Sequence, residues 1–177
     1  QLLWLNVVTD GFQDMSLSLE KPEPHIMNEK PRSTKESLFT KSMITQCSLT
    51  GGTMGLLVFG AWMILVYAMK LDIVVARSLV MTLMVFLQSA HALNCRSEKL
   101  SIFKMNYKSN WFFYFAVISS VALQILFMEV SALSVLLELT TIPYGIMCVL
   151  MITSLLIIVV SEIYKSHLRK QESKLKN

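Results

Sequence analysis

The sequence predicts an all-α protein, a polytopic membrane bundle of five transmembrane helices. Three observations carry this. The 177 residues are 54% hydrophobic, and the apolar residues lie in long blocks rather than scattered. Most of these blocks are close to the length of about 20 residues that an α-helix needs to cross a bilayer. Lys and Arg gather between and after the blocks, as they do beside membrane helices. The formal net charge of +4 therefore carries no nucleic-acid signal, and no nucleic-acid partner is expected.

The first span, about residues 2–19, begins LLWLNVVTDGFQD. Asn6, Thr9, Asp10, Gln13 and Asp14 recur at three- and four-residue steps, which a 3.6-residue helix brings to one face. An Asp at a bilayer centre costs about 2.5–3.5 kcal/mol, and intramembrane acids are functional by default. Asp10 and Asp14 also repel as like charges four residues apart. A bound cation, a water-filled path or protonation would relieve both costs. Gly11 next to Asp10 lets the helix loosen and offer free carbonyls. The plainer alternative is an amphipathic helix, or a helix end whose polar residues sit among the headgroups.

A polar connector follows over residues 20–42, interrupted by Pro22, Pro24 and Pro31, which preclude a continuous helix. The second span runs from about 43 to 69. Gly51 and Gly55 have the small-xxx-small spacing that lets another helix approach closely. The KLD break leads into the third span, 73–93, with Gln88, Ser89 and His91 near its end and Arg77 able to snorkel at its start. A basic loop, 94–110, precedes a fourth span over 111–131. That span opens on the aromatic cluster Trp111 to Phe115, suited to a membrane interface. The fifth span covers 142–164, and residues 165–177 form a polar, basic tail.

Lys and Arg number five between the first and second spans, two around the KLD break and four in the 94–110 loop. There are none after the fourth span and five in the tail. The alternation places the tail and the 20–42 and 94–110 loops in the cytoplasm.

Asn6, Thr9 and Asp10 offer an amide carbonyl, a hydroxyl and a carboxylate, hard oxygen donors suited to calcium, magnesium, manganese or sodium. One helix cannot enclose a cation, and Gln88 is the best further oxygen donor in the chain. His91 is a ligand, a proton carrier or, as is commoner, a hydrogen-bond partner between helices. Gln124, Ser119 and Ser120 fit interhelical hydrogen bonding better than a path lining. Glu162, near a helix end, reaches the interface. Cys47, Cys95 and Cys148 are isolated and support neither a zinc site nor a disulfide framework. No phosphate-binding GxxxxGK[ST] loop and no nucleophile triad is present.

LLWLNVVTDG, followed by SLSLEKPEPHIMNEKPR, resembles the sixth membrane helix and following cytoplasmic loop of type II P-type cation ATPases, where calcium pumps show LWVNLVTDG. HALNCRSE, then SIFK, is similar to the end of the family's eighth helix. The resemblance covers the whole chain in order, as the sixth to tenth helices. It implies a C-terminal transmembrane domain, 1–177, of an ATP-driven cation pump. Asn6, Thr9 and Asp10 match cation-ligating positions, and Gln88 matches a position where the muscle calcium pump has a ligating Glu. Gln13 stands where the family has Pro, and His91 where it has Asn. Gln88, Gln13 and His91 leave the ion and the number of sites open. The family's phosphorylated aspartate, nucleotide-binding domain, actuator domain and first five helices have no counterpart here. ATP and magnesium would be handled by that missing N-terminal part, and the chain would be a fragment unable to hydrolyse ATP alone. The expected setting is a lipid bilayer, as a multi-pass protein of a plasma membrane of the bacterial inner-membrane type. The competing reading is an ion- or proton-coupled secondary transporter or channel subunit using Asp10 and Asp14. A non-transporting scaffold is a third, and it would not need those polar residues on one buried face.

Overall fold

The computed structural model describes residues 1–22, 40–98 and 100–175, the side chains of 172, 174 and 175 excepted. Pro24 and Pro31 of the expected connector lie outside the described residues. The fold is all-α, and the described residues contain no strand.

The first helical stretch is composite: α1 (Leu2–Asn6), a π-helical segment (Val7–Asp14) and α2 (Met15–Leu17). Next come α3 (Lys41–Met63), continued by π-helical Ile64–Ala68, and α4 (Ile73–Cys95). Two short 3₁₀ turns, Ile102–Lys104 and Tyr107–Ser109, lead to α5 (Trp111–Glu129). The short α6 (Ser131–Leu137), α7 (Tyr144–Ser154) and α8 (Leu156–Leu175) complete the order.

Local chemistry sets the helix starts. Thr40 Oγ1 accepts from the Met43 amide at 3.2 Å, Asp72 Oδ1 from Val74 at 2.8 Å and Asn110 Oδ1 from Phe113 at 3.0 Å. Each satisfies an amide that the first turn leaves without a partner. Pro143, which lacks an amide hydrogen, stands directly before α7.

α4 is the central helix and packs against the composite helix, α3, α5, α7 and α8. Leu79, Met81 and Val85 meet Leu5, Val8, Met128 and Met147 in one cluster, and Leu83, Leu87 and Ala90 meet Ile157 in another. Outward faces stay apolar, with Ile118, Val149, Ile152 and Val159 exposed, as expected of helices solvated by lipid. Four helical runs, Lys41–Ala68, Ile73–Cys95, Trp111–Glu129 and Tyr144–Gln171, are long and apolar enough to cross a membrane. The composite helix packs beside them as the fifth member of the bundle.

Four details depart from the sequence reading. Gly51 and Gly55 make no close approach to another helix among the described residues: a Cβ at either would meet none of them within 4 Å. α3 touches its neighbours through other residues, including Leu57 and Val58. The last helical run begins after Pro143, breaks between Ser154 and Leu156, and continues past 164. Its Lys165 is not a free tail charge. It is fully buried, and its Nζ donates to the Asn94 carbonyl at 2.8 Å and the Leu100 carbonyl at 3.3 Å. Arg77 reaches Glu138 at 2.6 Å, so its snorkelling ends on a carboxylate in the loop after α6.

Candidate functional site: a polar cleft beside a widened helix

The site is built from the first helical stretch, whose hydrogen bonding changes register part-way along. Hydrogen bonds closing five rather than four residues widen the turn over Val7–Asp14. A wider turn keeps residues four apart nearly aligned but swings residues three apart away from each other. The single polar face expected from a 3.6-residue period therefore divides into two stripes. Leu5, Thr9 and Gln13 are buried, and Asn6, Asp10 and Asp14 are exposed. Gly11 does not unwind the helix; it lies within the widened turn, on its exposed side.

The buried stripe fixes the helix against the bundle. Gln13 Nε2 donates to Ser89 Oγ on α4 at 3.0 Å. The Ser120 hydroxyl on α5 donates to the Val8 carbonyl at 2.6 Å. Trp4 Nε1 donates to Gln124 Oε1 at 3.0 Å, and Gln124 Nε2 reaches Thr82 Oγ1 at 3.3 Å. Gln124 and Ser120 thus act as links between helices, as their chemistry suggested.

The exposed stripe borders a cleft of about 200 Å³ between the composite helix, α3 and α4. Thr9, Asp10, Gln13, Asp14 and Leu17 line one side, Met54 a second, and Gln88, His91, Ala92 and Cys95 a third. Three of the four expected ligands, Thr9, Asp10 and Gln88, are brought together. Asn6 is exposed and lies outside this lining. The Thr9 hydroxyl points back to the Leu5 carbonyl at 2.7 Å and lies 3.3 Å from Asp10 Oδ1. Gln88 Oε1 is buried with no hydrogen-bond partner among the described residues, which a buried amide oxygen seldom is. His91 Nδ1 is likewise unpartnered, and its Nε2 lies 3.3 Å from Cys95 Sγ on the same helix. The expected interhelical bond from His91 is thus not made among the described residues. The oxygen donors of the cleft are one hydroxyl, two amides and two carboxylates, a hard set suited to a group 1 or group 2 cation.

A second polar cluster, at the end of the composite helix, was not legible in the sequence. Arg96, directly after α4, donates from Nε to Glu20 Oε2 at 2.9 Å and from Nη2 to Glu20 Oε1 at 2.7 Å. Its Nη1 reaches the Tyr114 hydroxyl, and its Nη2 donates to Ser109 Oγ at 2.8 Å. The guanidinium carbon lies 5.4 Å from the Phe113 ring centre and 5.2 Å from that of Tyr114. Asn110 Nδ2 donates to the Ser16 carbonyl at 2.8 Å and to Glu20 Oε2 at 3.1 Å, while its Oδ1 caps α5. Burial pushes the Glu20 carboxyl up, but the hydrogen bonds from Arg96, Asn110 and Ser109 outweigh it and hold the group below its ordinary value. The hydrogen bonds to Glu20 raise Arg96 correspondingly, against its own burial. The single available signal was the sequence Asn110-Trp111, a helix-capping residue before an apolar run.

Residues 1–167 match the family model described as "Cation transporting ATPase, C-terminus". The chain belongs to this family. It is a C-terminal membrane region of a P-type cation-transporting ATPase. It is similar to a calcium-transporting ATPase of Bacillus subtilis (strain 168), 32% identical over 125 residues, which cover 71% of this chain and 14% of that protein. It is 27% identical over 179 residues to the mouse (Mus musculus) calcium-transporting ATPase type 2C member 1, across 100% of this chain and 19% of the relative. Calcium-transporting ATPase 1 of Bacillus cereus is 26% identical over 179 residues, covering 93% of this chain and 20% of its own length. The chain therefore spans a fifth or less of these cation-transporting ATPase relatives.

Proposed function

We propose that this chain supplies part of the transport domain of an ATP-driven pump, and that the ion it helps to carry is calcium. The observation that carries the reading is the cleft, where the widened helix sets Asp10 and Thr9 against the unpartnered Gln88 oxygen. Calcium accepts six to eight oxygen ligands in flexible geometry, so a mixed set of carboxylate, amide and hydroxyl oxygens suits it. The similar proteins named as calcium-transporting favour calcium over magnesium, manganese or sodium.

Asp10 would supply the negative charge, and Gln88 and Thr9 would supply neutral oxygens. Asn6, matched to a ligand position by resemblance, would need a change in the helix face to take part. The remaining ligands, the ATP site and its magnesium would come from an N-terminal part of the protein, with its actuator, phosphorylation and nucleotide-binding domains. The tail and the 20–42 and 94–110 loops would face the cytoplasm of a plasma-membrane pump.

Asp10→Asn tests the site in the full-length ATPase that carries this segment. It keeps the shape and one oxygen but removes the charge. Calcium activation of phosphorylation from ATP should lose its high-affinity component. Asp14→Asn, which changes a carboxylate one turn further along the helix, should cost less. Retained wild-type affinity in Asp10→Asn, with affinity lost in Asp14→Asn, would assign the wrong carboxylate.

A further inference from the structure

We propose that Glu20 and Arg96 are positioning residues for the cleft: the ion pair between buried Arg96 and half-buried Glu20 sets cation affinity without either residue touching the ion. The inference rests on the reading of the cleft as the transport site. Glu20 lies three residues past the composite helix that carries Asp10, its amide donating to the Leu17 carbonyl at 3.0 Å, and Arg96 directly follows α4, which carries Gln88. Two turns of helix, about 12 Å along the axis, separate Gln88 from Arg96. The same ion pair therefore ties together the ends of two of the three helices that line the cleft.

The tie is built to hold position. The Arg96 fork meets both Glu20 oxygens, at 2.9 and 2.7 Å, a two-point contact that fixes orientation as well as distance. Asn110 and Ser109 add donors to the same carboxylate at 3.1 and 3.2 Å. Asn110 also donates to the Ser16 carbonyl, which accepts the Leu19 amide at 3.3 Å as well. Stacking of the guanidinium over Phe113 and Tyr114 joins α5 to the same point.

A tie is needed here because the π-helical segment lies between it and the start of the helix. Such segments depart from the regular bonding of an α-helix and recur at functional sites. With its far end fixed, Asp10 keeps one axial position relative to Gln88. With that end released, the wide turn can shift, and a ligand set needs its members within about 0.5 Å of productive geometry. Lys cannot substitute for Arg96, since a single ammonium cannot make the two-point contact.

The test is equilibrium binding of radioactive calcium to membranes holding the full-length ATPase, with Glu20→Gln, Arg96→Lys, the double variant and Asp10→Asn. Each single positioning variant should raise the half-saturating calcium concentration about tenfold, the size of one charge-assisted hydrogen bond read as affinity. The double variant should raise it no further, because both changes release one tie. The number of calcium ions bound at saturation should stay as in the wild type. A merely structural role would instead reduce the number of competent molecules while leaving half-saturation unchanged, and that result would overturn the proposal. Unchanged half-saturation in both single variants, or a hundredfold effect in the double, would do so too. If Asp10→Asn binds calcium normally, the cleft is not the transport site and both readings fall. If Asp10→Asn loses binding while Glu20→Gln and Arg96→Lys keep wild-type affinity, the positioning inference alone falls.

Discussion

Gln124→Leu removes the node that joins three helices beside the widened turn. Gln124 is fully buried, accepts from Trp4 Nε1 at 3.0 Å and donates to Thr82 Oγ1 at 3.3 Å. Leu fills a similar volume, so the change isolates the polar contacts from the packing. Hydrogen bonds between membrane helices contribute about 0.6 kcal/mol on average and up to about 1.7 kcal/mol. Thr82 keeps its bond to the Ser78 carbonyl at 2.9 Å, so the larger loss falls on Trp4, whose indole N–H is left without its acceptor. The expected cost is about 1–2 kcal/mol. The assay is a double-mutant cycle with Trp4→Phe on the purified chain in mixed micelles. Unfolding by rising SDS is followed by far-ultraviolet circular dichroism. A coupling near 1 kcal/mol supports the node. Strictly additive effects, or a chain stabilised by Gln124→Leu alone, would refute it.

Glu20 gives a pH signature. Its carboxyl is held low in the folded protein, so the stability it adds is complete above the ordinary carboxylate value of about 4.3 and is lost as pH falls through the lowered folded value. The difference in thermal stability between wild type and Glu20→Gln in the full-length protein should be flat from pH 8 to pH 5 and should shrink below about pH 4.3; a collapse already between pH 7 and pH 6 would contradict the assignment. For orientation, a reporter active only in the cytoplasm should work when fused after Asn177 and stay silent near Leu137. The opposite pattern would reverse the topology.

The bundle was legible because lipid imposes a simple rule on composition: long apolar blocks with basic flanks. The capping residues Thr40, Asp72 and Asn110 sit where helices begin, and local hydrogen bonding explains each. The candidate site was partly legible. Asp10 stood out because an acid in an apolar block is costly, and Gln88 because it is a lone amide near the end of another. Their convergence with Thr9 follows from packing of the composite helix on α4, which no local pattern encodes. The separation of Asn6 and Asp10 from Thr9 and Gln13 was missed because a fixed 3.6-residue period cannot anticipate a widened turn. Arg96 and Lys165 entered the sequence reading only as basic residues of the 94–110 loop and the tail; both are buried and bonded to groups distant in sequence. Charge counting along a sequence does not tell which partner a basic residue finds in the fold.

If the cleft is the transport site, the bound ion lies between Asp10 and Gln88. A cryo-electron-microscopy map of the full-length ATPase with calcium bound, compared with one in chelator, would locate it. Calcium-dependent density should appear at about 2.3–2.6 Å from an Asp10 carboxylate oxygen and from Gln88 Oε1. Calcium density elsewhere in the membrane domain, with Asp10 and Gln88 both beyond about 4 Å of it, would rule out the cleft as the transport site.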